Sequence, residues 1–265
     1  MAKGRKPRWN ISPVKNGIVT VELFKWDYFN DYIFQELLDY TGYVFRGHRC
    51  DNWNLESTLD RVTSQSPRRH QHLTAFKLAV RGRRGPNPAK LETENDWWAL
   101  GQHHGLKTPL LDWTKSPFVA AYFAFAGDRD KTTPRRVVWA LSRVSVERKS
   151  KQIQEAFTKS GRIGRAPIVE FFTPLSDENA RLVNQGGLFS RAPDGVTIED
   201  WMEENFPDSD PSANRMIAIK ITIPNHNRTD ALRSLNRMNI NHLTLFPDLY
   251  GASAFCNTEL EIAKY

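Results

Sequence analysis

At 265 residues the chain is long enough for one large domain or two small ones, and its 40% hydrophobic content with 15 glycines matches ordinary folded chains. Lysine and arginine number 37 against 30 acidic residues, a formal charge of +7 that favours polyanionic partners such as nucleic acid and decides nothing about fold. Two cysteines, Cys50 and Cys256, exclude a disulfide framework, and neither has a neighbour at zinc-ligand spacing. No stretch approaches a membrane span or a signal-peptide core, so the expectation is a cytoplasmic chain without membrane or metal.

Residues 1–16 are basic and carry Pro7 and Pro13, which predicts a poorly ordered arm ahead of a domain over 17–265. Residues 18–24 read as a strand. Apolar residues at helical spacing (Phe29, Ile33, Leu37, Leu38) predict a helix from Trp26 to Tyr40. Tyr43-Val44-Phe45 is a short β-rich run ended by Arg46-Gly47-His48-Arg49. Helices are expected over 73–80 and 92–103, separated by a loop rich in glycine and proline at 81–88. A hydroxyl-rich segment, 105–114, leads to Ser116-Pro117, an N-cap followed by proline, and then to a buried helix over 118–126. Strands are expected at 137–141, 168–172 and 216–223, and helices at 152–159, at 228–238 and after Pro247. Helices and strands mix without βαβ regularity, so the fold class is α+β.

Three segments concentrate residues with chemical potential. Gln102 to Pro117 holds His103, His104, Asp112 and three hydroxyl residues between apolar helices, where a scaffold would present groups to a cleft; alternatively Asp112 and Thr114 brace the next helix. In Phe45-Arg46-Gly47-His48 an arginine at a strand end can bring a permanently charged fork to a phosphate or carboxylate, with Gly47 admitting the ligand to the backbone; an ion pair within the fold would serve the arginine equally. In Arg181 to Phe189, Gln185 precedes a glycine pair and reads as a ligand contact or a simple turn. Basic clusters at 3–8, 68–69, 81–84, 135–136 and 143–151 suit phosphate tracking or a solvated surface, with Arg81, Arg83, Arg84, Arg135 and Arg136 the candidates for nucleic acid. No dinucleotide or P-loop glycine signature is present.

These segments in this order, with Leu245-Phe246-Pro247-Asp248-Leu249 behind them, resemble the bacterial FRG-domain family over about 43–250: Phe45-Arg46-Gly47, Gln102-His103-His104-Gly105, Leu110-Leu111-Asp112-Trp113-Thr114 and Asn184-Gln185-Gly186-Gly187-Leu188-Phe189 follow its motifs. The layout is also remotely similar to the ADP-ribosyltransferase superfamily, which implies a single domain with a mixed, split sheet flanked by helices. That likeness implies NAD as co-substrate, with no metal. Arg46, Asp112 and Gln185 would be catalytic; Phe45, Gly47, His104, Trp113, Thr114 and Tyr122 would hold NAD. The late glutamate of such enzymes is replaced by Gln185, with Glu178, Glu259 and Glu261 elsewhere.

The resemblance thus implies transfer of ADP-ribose to a macromolecular acceptor, RNA or DNA before protein, by a toxin or anti-phage effector with a neutralising antitoxin as partner. Two other readings stand beside it. The same residues could recognise a nucleotide or nucleic acid without reaction, or His103, His104 and Asp112 could serve a nuclease-like hydrolase.

Overall fold

The computed structural model describes residues 7–127, 133–174, 180–211 and 215–265. The fold is α+β. In chain order its first elements are β1 (Trp9–Ile11), β2 (Ile18–Leu23), α1 (Asp27–Tyr32) with a π-turn over Ile33–Leu37, and β3 (Tyr43–His48). Then come α2 (Ser66–Ala79), α3 (Glu94–His103), β4 (Leu110–Thr114), α4 (Pro117–Ala126), β5 (Arg135–Ser142) and α5 (Arg143–Lys159). The remainder is β6 (Glu170–Phe172), α6 (Ala180–Asn184), β7 (Gly187–Arg191), α7 (Ile198–Asn205), β8 (Ala218–Pro224), α8 (Arg228–Arg237), α9 (His242–Leu245) and α10 (Leu249–Glu261).

Among the described residues eight strands form one mixed sheet in the order β1-β2-β8-β5-β3-β4-β7-β6. Only β2 and β8 run parallel; the other neighbours are antiparallel. Alternation of side chains along the strands builds two cores. Val19, Val21, Phe45, Val138, Ala140, Ile219 and Ile221 face α1, α4 and α8. Val44, Leu111, Trp113, Val137, Trp139 and Leu188 face α5 and α7 on the other side. A third cluster packs α2 and α3, through Leu73 and Trp98, against Leu110 and Phe189.

Helix α4 is the centre of the first core because its surface is apolar all round: Ala120, Ala121, Ala124 and Phe125 are wholly buried. Ser116 starts it, its Oγ accepting from Val119 N–H at 3.3 Å with Pro117 at the first turn, as the sequence predicts. Its far end is closed by two buried arginines. Arg136 donates to the Ala124 carbonyl and Arg228 to the Phe125 and Gly127 carbonyls, satisfying acceptors that the last turn leaves without helical partners.

Several expectations are corrected. Trp9–Ile11 belongs to the sheet, paired with β2, instead of lying in a loose arm; residues 1–6 fall outside the described residues. Strand β3 runs through Arg46 and Gly47 to His48, because each residue from Tyr43 pairs with β5. The hydroxyl-rich segment contains β4, whose five residues pair with β7; its one exposed member, Asp112, hid the apolar run Leu110-Leu111-Trp113. Helix α5 begins at Arg143, so the basic run 143–151 is the start of a helix capped by Ser142. Helix α2 starts at Ser66, and Arg69 within it is buried and ion-paired with Asp60 and Asp194.

Candidate functional site: a cleft where the sheet divides

Strands β3 and β4 share a single register pair, Phe45 with Thr114, and splay apart beyond it. The divergence leaves backbone groups of β4 without a strand partner. Arg46 fills the gap: its Nη1 donates to the Asp112 carbonyl at 2.8 Å and lies 3.6 Å from the Asp112 carboxylate. The guanidinium is therefore part of the sheet's own hydrogen bonding, while 21% of the side chain stays exposed. Burial lowers its pKa and Asp112 raises it, and arginine keeps its charge through such a shift.

A cleft of about 320 Å³ opens over this split, between α3 and α4. Phe45, Asp112, Thr114 and Phe189 belong to strands beneath it; Gln102 and His103 come from α3, Ala120 and Phe123 from α4, and Arg181, Gln185 and Phe246 from the later chain. Asp112 is the most exposed polar group, at 59%. Gln102 holds it in place, with Nε2 donating to Asp112 Oδ2 at 2.7 Å and Oε1 accepting from the Thr108 hydroxyl. Behind Arg46, the Arg46 Nε donates to His48 Nε2 at 3.2 Å. Burial, reinforced by the Arg46 charge, pushes the His48 pKa down to about 3, so the ring is a neutral acceptor at physiological pH.

The far wall joins the two late motifs. Thr114 donates its hydroxyl to the Gln185 carbonyl at 2.6 Å, and Gln185 Nε2 donates to the Leu245 carbonyl at 3.2 Å. Gly186 makes the turn between them with φ of +55°, a conformation that suits glycine. Arg181 is pinned by Asp248, with its Nε at 2.8 Å, and lies over the Phe246 and Tyr250 rings. The Gly251 N–H that Asp248 accepts from holds its carboxyl below the usual range, and the hydrogen bond and charge of Arg181 add to that.

Of the residues singled out in the sequence, Phe45, Arg46, Gly47, Asp112, Thr114 and Gln185 meet in this cleft. Three others are placed differently. Tyr122 is buried at 1% exposure with its hydroxyl on His242 Nδ1, and burial raises its pKa, so it braces α4 against α9 instead of stacking on a ligand. The Trp113 ring lies in the core of the opposite face, its Nε1 donating to Ser190 at 2.8 Å, although the residue borders the cleft. His104 is exposed at the end of α3 against the His103 ring, and His103 is the histidine that reaches the cleft.

Gly47 also changes role. A Cβ there would sit 2.0 Å from the Ala120 carbonyl oxygen, so the glycine admits helix α4 to the sheet. Gln185 has an amide hydrogen committed to Leu245. Arg136 is fully buried and offers no surface to nucleic acid, and the partly exposed Arg135 is engaged within the fold, paired with Glu22 and bonded to Thr222 and the Leu23 carbonyl. Arg81, Arg83 and Arg84 lie in the loop after α2 and do not line the cleft; Arg84 covers the Trp97 ring. Glu261 lies beside Arg228, away from the cleft, and neither it nor Glu259 lines the cleft; Glu178 lies outside the described residues.

Gln102, Phe123, Arg181 and Phe246 are added by the structure. Their signals were present: Gln102 opens the His103-His104-Gly105 segment, Arg181 precedes Gln185 by one helical turn, and Phe246 lies in the last motif. Among the described residues no group of three His, Cys, Asp or Glu side chains could hold a metal ion, and no helix is long and apolar enough to cross a membrane.

Neither the curated proteins nor the solved structures contain a match to this chain. Residues 41–133 match the sequence profile of the FRG domain, a span that runs from β3 through α4 and so includes Arg46, Gln102, Asp112 and Thr114, while Arg181, Gln185 and Phe246 come from beyond it. The Phe45-Arg46-Gly47 strand that fills the split sheet and the Gln102–Asp112 pair that faces it thus both lie within the segment, residues 41–133, that matches the FRG domain.

Proposed function

We propose that the cleft binds NAD and that the chain is an ADP-ribosyltransferase acting on a nucleic-acid acceptor in the cytoplasm, as a toxin or anti-phage effector. The observation that carries the reading is the convergence, around one exposed carboxylate, of a fixed arginine fork with aromatic side chains: Arg46 and Asp112 together with Phe123 and Phe246. Arginine matches the charge and geometry of a pyrophosphate, and aromatic walls suit a nucleotide's rings.

In this reading Arg46 and Arg181 hold the pyrophosphate, and the Asp112 carboxylate, oriented by Gln102, stands by the ribose. The bond between C1′ and the nicotinamide nitrogen breaks, its electron pair leaving with neutral nicotinamide. The positive charge that develops on the ribose is offset by Asp112. A lone pair on an oxygen or nitrogen of the acceptor then bonds C1′, and its proton passes to Asp112 or to water. Most of the acceleration would come from holding the strained, charged state.

One observation favours a second reading, a nucleotide-binding module without turnover: Asp112 is the one carboxylate among the described residues that line the cleft. Incubation with NAD labelled in its adenylate half, in the presence of RNA, DNA or total protein, separates the two. Transfer of label to one pool by the wild type and its loss in Arg46→Ala support the transferase; intact NAD with folded protein removes it.

A further inference from the structure

Arg46 has two sides. Besides the cleft, it lines a second cavity of about 290 Å³ whose other walls are His48, Asn52, Trp53, Asn54, Glu56 and Arg61. This groove is formed by the segment that follows β3, which is anchored on the α5 and α7 face of the sheet by Leu55. The Leu55 N–H donates to the Glu199 carboxylate at 2.9 Å, fixing the segment to α7. Arg46 and His48 alternate with Phe45 and Gly47 along β3, so the guanidinium passes through the split and meets the groove from the side opposite α4.

The groove has the chemistry of a nucleotide site. Trp53 is 39% exposed, an indole left open beside a cavity, with the Arg49 guanidinium 5.7 Å from its ring centre. Asn52 and Asn54 are exposed amides, each offering donors and an acceptor of the kind that read base edges. Arg61 is exposed and contributes, with Arg46, a positive field that reaches His48. Glu56 is the acidic member and supplies an acceptor for a base amino group.

His48 ties the groove to the sheet. The residue is 4% exposed, its Nε2 accepts from Arg46, the Trp53 backbone hydrogen-bonds the ring, and the Trp53 indole packs edge-on against it with 6.2 Å between ring centres, so the open indole is held in place against β3.

We propose that this groove binds one nucleotide of a single-stranded nucleic acid, its base on Trp53 and its phosphate on Arg61. The inference rests on the proposed transferase only for its meaning: the groove would then be the acceptor site, separated from the NAD cleft by one side chain. The strand is favoured over a free nucleotide because the groove is open along exposed residues at 52–54 and 61, which leaves a path for the chain on either side.

The test uses the full chain and a fluorescein-labelled eight-nucleotide RNA of mixed sequence, with AMP and UMP as competitors, read by anisotropy. Binding is expected to weaken roughly tenfold or more in Trp53→Ala, to recover largely in Trp53→Phe, and to lose about 0.7 from its logarithmic salt slope in Arg61→Ala. The RNA is expected to bind at least about tenfold more tightly than either mononucleotide. Equal binding by wild type and Trp53→Ala, both folded by circular dichroism, overturns the proposal, as does equal affinity for AMP and RNA. NAD turnover by the wild type is measured apart. Trp53-dependent RNA binding without turnover leaves the groove and removes the transferase, and turnover with RNA binding indifferent to Trp53 does the reverse.

Discussion

Gly47→Ala tests how the cleft is built. The added Cβ falls 2.0 Å from the Ala120 carbonyl oxygen and 2.6 Å from the Ala124 nitrogen, where ordinary contact begins near 3.4 Å. Both obstacles are backbone, so no rotamer change relieves them, and α4 has to lift from β3 by about 1.4 Å. Overpacking of this kind costs about 1–3 kcal/mol, and a clash with rigid backbone belongs at the upper end, about 3 kcal/mol. For a chain of this size that corresponds to a fall in Tm of roughly 6–12 °C. Gly42→Ala is the control: its Cβ meets a γ-methyl of the exposed Val144 at 3.1 Å, a side chain free to shift toward solvent, and its cost stays within about 1 kcal/mol. Scanning calorimetry compares the two. The same movement displaces Phe123 and Ala120 from the cleft wall, so ligand affinity falls with stability. If Gly47→Ala melts together with Gly42→Ala, the packing account of the Phe-Arg-Gly strand is wrong.

Four further outcomes are expected. Asp112→Asn should reduce NAD cleavage about 100-fold or more while melting like the wild type, because Asp112 is 59% exposed and its amide can still bond Gln102; unchanged cleavage would strip the residue of its role. Arg69→Ala removes one partner of a buried ion pair with Asp60 and should cost about 3–5 kcal/mol in urea unfolding, whereas a loss below about 1 kcal/mol would mean the pair is solvated. Tyr122→Phe should lose about 1 kcal/mol of stability and leave NAD affinity unaltered in titration calorimetry, and a large loss of affinity would return Tyr122 to the site. His48 sets a pH dependence. Its folded pKa of about 3 lies below the ordinary 6.5, so the unfolded chain binds the extra proton between those values, and stability present above pH 6.5 is lost as pH falls toward 3. The slope from this group is at most about 1.4 kcal/mol per pH unit, and His48→Gln should flatten the profile measured by urea unfolding; an identical profile would assign the loss to other groups.

Much of the fold was legible where period and punctuation agreed. Ser116-Pro117 followed by an apolar run predicts α4, and Met216 to Ile223 predicts β8 to within two residues. The early residues of α5 were obscured because its first turns are basic and exposed on one side, and the strand β4 was obscured because Asp112 interrupts a short apolar run. Strand β1 is three residues long and is held by pairing with β2, a tertiary cause that local sequence does not express.

The site was legible as a set of segments and less so as geometry. Arg46, Asp112, Thr114 and Gln185 meet because β3, β4 and the turn before β7 lie side by side, an arrangement set by sheet order. Which face each side chain takes followed from neighbours far along the chain: Trp113 and Tyr122 read as ligand contacts by motif and are core by packing. Arginine 136 shows the same limit, since a basic pair in sequence carries no sign that one member will cap a buried helix end.

The most direct test of the central claim is release of nicotinamide from NAD by the purified chain, followed by chromatography with wild type, Arg46→Ala and Asp112→Asn side by side and oligonucleotide RNA present. The account predicts nicotinamide and ADP-ribosylated RNA in equal amounts from the wild type and neither from the two variants. NAD left intact by a folded wild-type protein, or cleaved equally by all three, would contradict it.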